Sequence, residues 1–118
     1  MKSKQEMQIF HGRKAINFDL NNNLLKQYYP SKNYKKAWKD INKYLENNDF
    51  IHRQYSGYVS KTGISMAEVG NIIGKMSRKW TWLNKCVMEF DVTIVSDEYS
   101  FISRIKQESK VTSKDELV

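Results

Sequence analysis

The chain has 118 residues, 20 Lys and Arg against 13 Asp and Glu, a net charge of +7 and a hydrophobic fraction of 40%. That length fits one domain, and the apolar share is enough for a real core, which excludes an intrinsically disordered chain. No apolar run reaches the ~18 residues of a spanning helix, no collagen repeat is present, and one cysteine, Cys86, makes no internal disulfide. Residues 1–12 lack the apolar stretch of a secretory signal, and the lone thiol fits a reducing compartment, so a cytoplasmic protein is expected.

The charge is uneven. Residues 1–61 hold 12 Lys and Arg against 5 Asp and Glu, whereas residues 62–118 hold 8 of each. Five of the basic residues, Lys32, Lys35, Lys36, Lys39 and Lys43, fall in one short stretch. A basic face attracts polyanions, because nucleic acid releases counterions when its phosphates are neutralised. The same lysines also suit a plain solvated helix face.

In chain order, residues 1–12 show no period and read as an N-terminal arm. Arg13–Leu20 alternates, with Ile16, Phe18 and Leu20 on one side and Ala15, Asn17 and Asp19 on the other, which predicts the first strand. Asn21, Asn22 and Asn23 then break it, and Pro30 marks a turn. Ser31–Asn48 is predicted as a helix capped by Ser31. Tyr34, Ala37, Trp38, Ile41, Tyr44 and Leu45 share its apolar face, and the five lysines lie opposite.

Phe50–Gln54 and Gly57–Lys61 read as a hairpin. Ser65 followed by Glu68 matches a capping box and starts a second helix. Met66, Val69, Ile72, Ile73 and Met76 form its expected buried stripe, with Gly70 and Gly74 marking close packing on a sheet. Trp80, Trp82 and Leu83 extend it by a short turn or helix. Met88–Val95 alternates again, with Met88, Phe90, Val92 and Ile94 on one face and Glu89, Asp91 and Thr93 on the other. Asp97–Glu108 is predicted as a short helix capped by Ser96, and the polar tail from Ser109 as loose. The divisions are thus an arm over 1–12, a domain over 13–95 and a C-terminal extension over 96–118.

The order is β-α-β-β-α-β. It predicts an α+β, ferredoxin-like fold: a four-stranded antiparallel sheet with two helices on one face and the other face open. The first and last strands are neighbours in that fold, which brings Asp19 towards Glu89 and Asp91 on the open face. Clustered carboxylates bind Mg²⁺, which prefers oxygen ligands and keeps waters. They are equally ordinary residues of a solvated sheet. His52, Arg53 and Ser56 form the second group of interest, since a histidine and an arginine can supply proton transfer and phosphate stabilisation. A histidine on a strand also serves as a structural residue. Tyr55 and Tyr58 are candidates for stacking on RNA bases, though tyrosines favour strands in any case. No zinc-ligand spacing and no phosphate-cradling glycine loop occurs.

Ala15-Ile16-Asn17-Phe18-Asp19-Leu20 resembles the first strand of the virulence-associated protein D (VapD) family. Phe50-Ile51-His52-Arg53-Gln54-Tyr55-Ser56-Gly57-Tyr58-Val59 is similar to its hairpin, and the helix bearing Lys-Ala-Trp-Lys-Asp-Ile stands between them at a similar spacing. The resemblance covers about residues 13–95. It implies a kinship with the small nuclease-like subunit of CRISPR adaptation complexes, a ferredoxin-like homodimer, and an endoribonuclease acting as the toxin of a toxin–antitoxin pair. It implies that Asp19 is the catalytic or metal-binding aspartate. The related subunit carries an R-x-Q-x-S-x-[FY] pattern at its hairpin. Gln54, Ser56 and Tyr58 match it, His52 stands at the arginine position, and Arg53 lies one residue along. A non-catalytic dimer that binds RNA or a protein partner is the other reading of the same fold.

Overall fold

The computed structural model describes residues 11–54, 57–95 and 101–116. Strand β1 (Arg13–Leu20) has the bounds that alternation predicts. Ile16, Phe18 and Leu20 are buried and Asn17 and Asp19 exposed. After β1 the chain does not simply turn. Asn21 caps a short helix, α1 (Asn22–Tyr28), by accepting from the Leu24 N–H at 2.9 Å. The asparagines end β1 as expected, and they also start a helix that the sequence reading does not include.

Helix α2 (Lys36–Asn47) begins five residues after Ser31. Ser31 does not cap it, because its hydroxyl accepts from the Asn33 N–H in a local turn instead. Ala37, Ile41 and Leu45, spaced by four, are the buried stripe, with Tyr34, Trp38 and Tyr44 packed partly against it. Asp49 ends the helix at φ 66°, a left-handed conformation that Asp tolerates better than most residues.

Strands β2 (Phe50–Gln54) and β3 (Gly57–Ser60) pair antiparallel, as expected of the hairpin. Helix α3 (Met66–Lys79) starts at Ser65, whose hydroxyl accepts from the Glu68 N–H at 3.1 Å. Val69 and Met76 are fully buried, and Ile72 and Ile73 pack partly against the core. Met66 is exposed, so the stripe begins one turn later than predicted. The expected close packing at the glycines is also corrected. A Cβ at Gly70 would meet open space, and one at Gly74 only the flexible end of Arg78.

Helix α4 (Thr81–Cys86) supplies buried Trp82, Leu83 and Cys86. It is tied to the start of α1 where the Asn21 N–H donates to the Cys86 carbonyl at 2.8 Å. Burial pushes the Cys86 thiol pKa up, which fits an inert core cysteine. Strand β4 (Val87–Val95) follows, then helix α5 (Ile102–Glu116). The last helix therefore runs past Glu108 through residues expected to be loose; Ser96 and Asp97 lie outside the described residues. Described side chains of α5 up to Ser109 are all exposed.

The sheet order is β2-β3-β1-β4, with β1 antiparallel to both neighbours. This is the ferredoxin-like arrangement, with α1 and α4 added to the two main helices. Phe18 is the centre of the core. Its ring lies between Tyr58 and Phe90, with centroids 5.9 Å and 5.6 Å away. On the edge strand β4, Phe90 and Val92 are half-buried while Met88 and Ile94, expected on the same face, are exposed. No helix among the described residues is long and apolar enough to cross a membrane.

Candidate active site on the open sheet face

Strand alternation decides which residues meet. Odd-numbered residues of β1 leave the core, so Ala15, Asn17 and Asp19 stand on the face that no helix covers. Asp19 is paired directly with Glu89, and Asn17 with Asp91. All four are exposed. Three carboxylates thus share one face at neighbouring positions, as the strand order predicts. The pairing register shifts between Asp19 and Leu20, which is paired with Val87, so Met88 is the extra residue of a β-bulge beside Asp19. Bulges bend a strand and re-aim its side chains. Asp19 also accepts from the Leu20 N–H through Oδ1 at 3.0 Å, which orients its carboxylate.

A second bulge lies across the sheet. The β2–β3 register shifts between His52 and Gln54, leaving Arg53 as the extra residue. Arg53 borders a hollow of about 250 Å³ with Ala15, Asn17 and Gly57. Gly57 faces Asn17 across the β1–β3 ladder, and its missing side chain helps to open this space. Reading across the sheet, Arg53, Gly57, Asn17 and Asp91 run from cation to carboxylate. Asn17 and Gly57 line this hollow, and the sequence reading does not single them out. Asn17 was legible as the neighbour of Asp19 two residues along the strand; the hollow depends on a register set by the fold.

His52 does not join this group. It is paired with Tyr58, and the two rings stack with centroids 4.7 Å apart. Tyr58 is a core residue, only 2% exposed, so His52 lies against the helix-covered face, while Arg53 borders the open one. His52 and Arg53 therefore serve opposite faces, as expected for a residue one step along the strand, and the pair does not act side by side on one phosphate. Tyr58 is corrected as an RNA-stacking residue, since both its neighbours and its burial make it structural. Burial, and then the nearby Glu46 charge, push its phenol pKa up to about 12. Tyr55 and Ser56 lie outside the described residues.

The lysines Lys32, Lys35, Lys36, Lys39 and Lys43 are all exposed, as predicted. Only Lys36, Lys39 and Lys43 lie on α2, which packs on the core face of the sheet, so they stand on the opposite side of the molecule from Asp19. Lys32 and Lys35 precede the helix in a turn, which corrects the expected five-lysine helix face.

Among the described residues no group of three or more His, Cys, Asp or Glu converges as a metal site. Asp19 and Glu89 do fit the looser binding of Mg²⁺, which is held by one or two carboxylates, waters and substrate phosphates. Asp91 belongs to the same face two pairing positions farther along, so the expected three-carboxylate set of Asp19, Glu89 and Asp91 is corrected.

No family model matches the chain. The curated Endoribonuclease VapD 2 of Riemerella anatipestifer is 25% identical over 91 residues, which covers 77% of this chain and 97% of that protein. The chain is thus similar to that VapD protein over most of its own length. The match takes in nearly the whole VapD relative, so the kinship concerns its full length rather than a shared fragment.

Proposed function

We propose that this VapD-related chain is an endoribonuclease that acts as a homodimer and serves as the toxin of a toxin–antitoxin pair. The observation that carries the catalytic part is the opposition of Asp19 and Glu89 on an open face that also holds Arg53. Cleavage of a phosphodiester needs a base for the attacking hydroxyl and positive charge for the phosphate. Asp19, oriented by the Leu20 N–H, accepts the proton of the attacking hydroxyl. As that oxygen bonds to phosphorus, the bond from phosphorus to the leaving oxygen breaks, and the leaving oxygen takes a proton from solvent. Arg53 holds the non-bridging oxygens as negative charge grows on them, and Asn17 donates a further hydrogen bond from the hollow. Asp19 and Glu89 would be the carboxylates to hold Mg²⁺, which would supply further positive charge to the phosphate. The open face is also the surface through which two copies pair, placing the two Asp19 residues near the dimer axis. The relative's activity and the two bulges that flank the face support this reading.

The test is cleavage of RNA by the purified chain, with Mg²⁺ and with chelator, alongside its mass by light scattering. Cleavage by a dimer, reduced by Arg53→Ala, is expected. Salt-sensitive RNA binding with no cleavage would replace this reading with that of a non-catalytic binding dimer.

A further inference from the structure

The lysine face lies across the sheet from Asp19, so the chemistry above makes no direct use of it. A hollow of about 310 Å³ opens beside it, between α2 and the C-terminal end of α3, lined by Lys43, Tyr44, Lys79 and Trp80 together with Asp40 and Asn47. The Lys79 ammonium sits over both rings, 5.9 Å from the centre of Tyr44 and 5.4 Å from that of Trp80. Both rings are held in place. The Tyr44 hydroxyl donates to the Ile72 carbonyl at 2.8 Å, and Trp80 stacks on buried Trp82 with ring centres 5.6 Å apart. The two rings meet edge-on at 5.8 Å, and each is half-buried, keeping part of its surface in solvent. Asp40, the one carboxylate in this lining, accepts a hydrogen bond from the Tyr29 hydroxyl.

We infer that this hollow is a second, non-catalytic site for single-stranded nucleic acid. A base lies against the aromatic wall, and the flanking phosphates meet Lys43 and Lys79 and continue along the row of Lys39 and Lys36. Stacking on an aromatic ring is worth ~1–3 kcal/mol per base and tolerates any sequence, while each phosphate contact adds counterion release. A lone anion would use the ammonium groups and gain nothing from the rings. An acidic protein would pair with the lysines and have no need of Trp80. The combination of fixed rings and ammonium groups is what selects a strand. The inference rests on the nuclease reading only in naming RNA as the natural ligand. Its consequence for that reading is that the site concentrates RNA rather than positioning the scissile bond, so its loss raises KM and leaves kcat unchanged.

The test is fluorescence anisotropy of a labelled oligodeoxythymidylate on the full chain through a salt titration, with the length of the probe checked by gel afterwards. Lys43→Ala combined with Lys79→Ala should weaken binding at least about tenfold and reduce the slope of log K against log salt by about 1.4, at about 0.7 per contact. Trp80→Leu should weaken binding about tenfold and leave the slope unchanged, while Trp80→Phe, which keeps a ring, binds within about twofold of the parent. Circular dichroism establishes that each variant is folded. Unchanged binding in the folded double-lysine variant would overturn the proposal. So would displacement of the probe by polyglutamate with no effect of Trp80→Leu, which would assign the surface to an acidic protein. Asp19→Asn should bind like the parent. Lost cleavage with this binding intact leaves both readings standing, and normal cleavage with intact binding removes only the assignment of the chemistry to Asp19.

Discussion

Asp19 on β1 and Glu89 on β4 stand directly opposite each other across antiparallel strands, on the sheet face that the helices leave uncovered. Like charges in such a pair oppose folding, at a cost within the ~0.2–1 kcal/mol range of cross-strand pairs. Glu89→Gln removes one of them. It is expected to stabilise the fold by a few tenths of a kcal/mol up to about 1 kcal/mol, seen as a higher urea midpoint at unchanged m-value, while it lowers RNA cleavage. A variant that is both less stable and fully active would mean that the pair is not strained by its charges.

The core depends on the three-ring stack of Tyr58, Phe18 and Phe90. Phe18 is 3% exposed, and its removal leaves a cavity against two strands and the helix layer. Phe18→Ala should cost about 3–5 kcal/mol, a large share of the ~5–15 kcal/mol that holds most domains folded. The neighbouring Asn17→Ala, on the open face, should stay within about 0.5 kcal/mol of the parent. Urea unfolding of the two variants side by side measures the contrast.

Two buried tyrosines make the fold sensitive to alkali. Burial raises the Tyr29 phenol pKa to about 12, aided by its hydrogen bond to Asp40, and burial raises Tyr58 to about 12 as well. An unfolded tyrosine titrates near 10. The raised values favour the neutral phenols in the folded state. The resulting stability is fully present below about pH 10 and is lost as pH climbs towards about 12. Unfolding midpoints measured across that window should fall, and Tyr58→Phe should fall less steeply. The difference in tyrosinate absorbance between the parent and Tyr58→Phe isolates the Tyr58 titration among the seven tyrosines.

Helix caps offer a smaller and more local test. Ser65 and Asn21 each accept from a backbone N–H three residues on, Glu68 and Leu24 respectively. Ser65→Ala and Asn21→Ala should each cost about 1 kcal/mol, while Ser31→Ala, at a residue that caps no helix, should cost far less. Thermal melts of the three variants test the caps seen at Asn21 and Ser65 against the uncapped start of α2 after Ser31.

That last contrast shows where sequence reading succeeds and where it stops. Local patterns carry far. Alternation gives β1 its full bounds, Ser65 and Glu68 locate α3, and the strand order alone brings Asp19, Glu89 and Asp91 to one face. The helix α1 was legible too: Asn21 precedes Leu24, Leu25, Tyr28 and Tyr29 at helical spacing, and a run of asparagines obscures it. What local pattern does not contain is register. The burial of Tyr58 follows from its pairing with Ile16, the separation of His52 from Arg53 matters only once both faces are known, and the hollow at Gly57 exists because that glycine falls opposite Asn17. These are contacts between residues roughly forty positions apart, and only the folded sheet sets them. The lysines illustrate the same limit. Their helical face is visible in the sequence, but which side of the sheet their helix covers is not.

The central claim is that Asp19 does chemistry on RNA. The most direct measurement is the single-turnover cleavage rate of the purified parent against Asp19→Asn, which keeps the side-chain shape and removes the charge. Loss of a positioned proton acceptor predicts a fall of about 10²–10⁴-fold with the fold and the oligonucleotide affinity unchanged. Cleavage by Asp19→Asn at the parent rate would contradict the account.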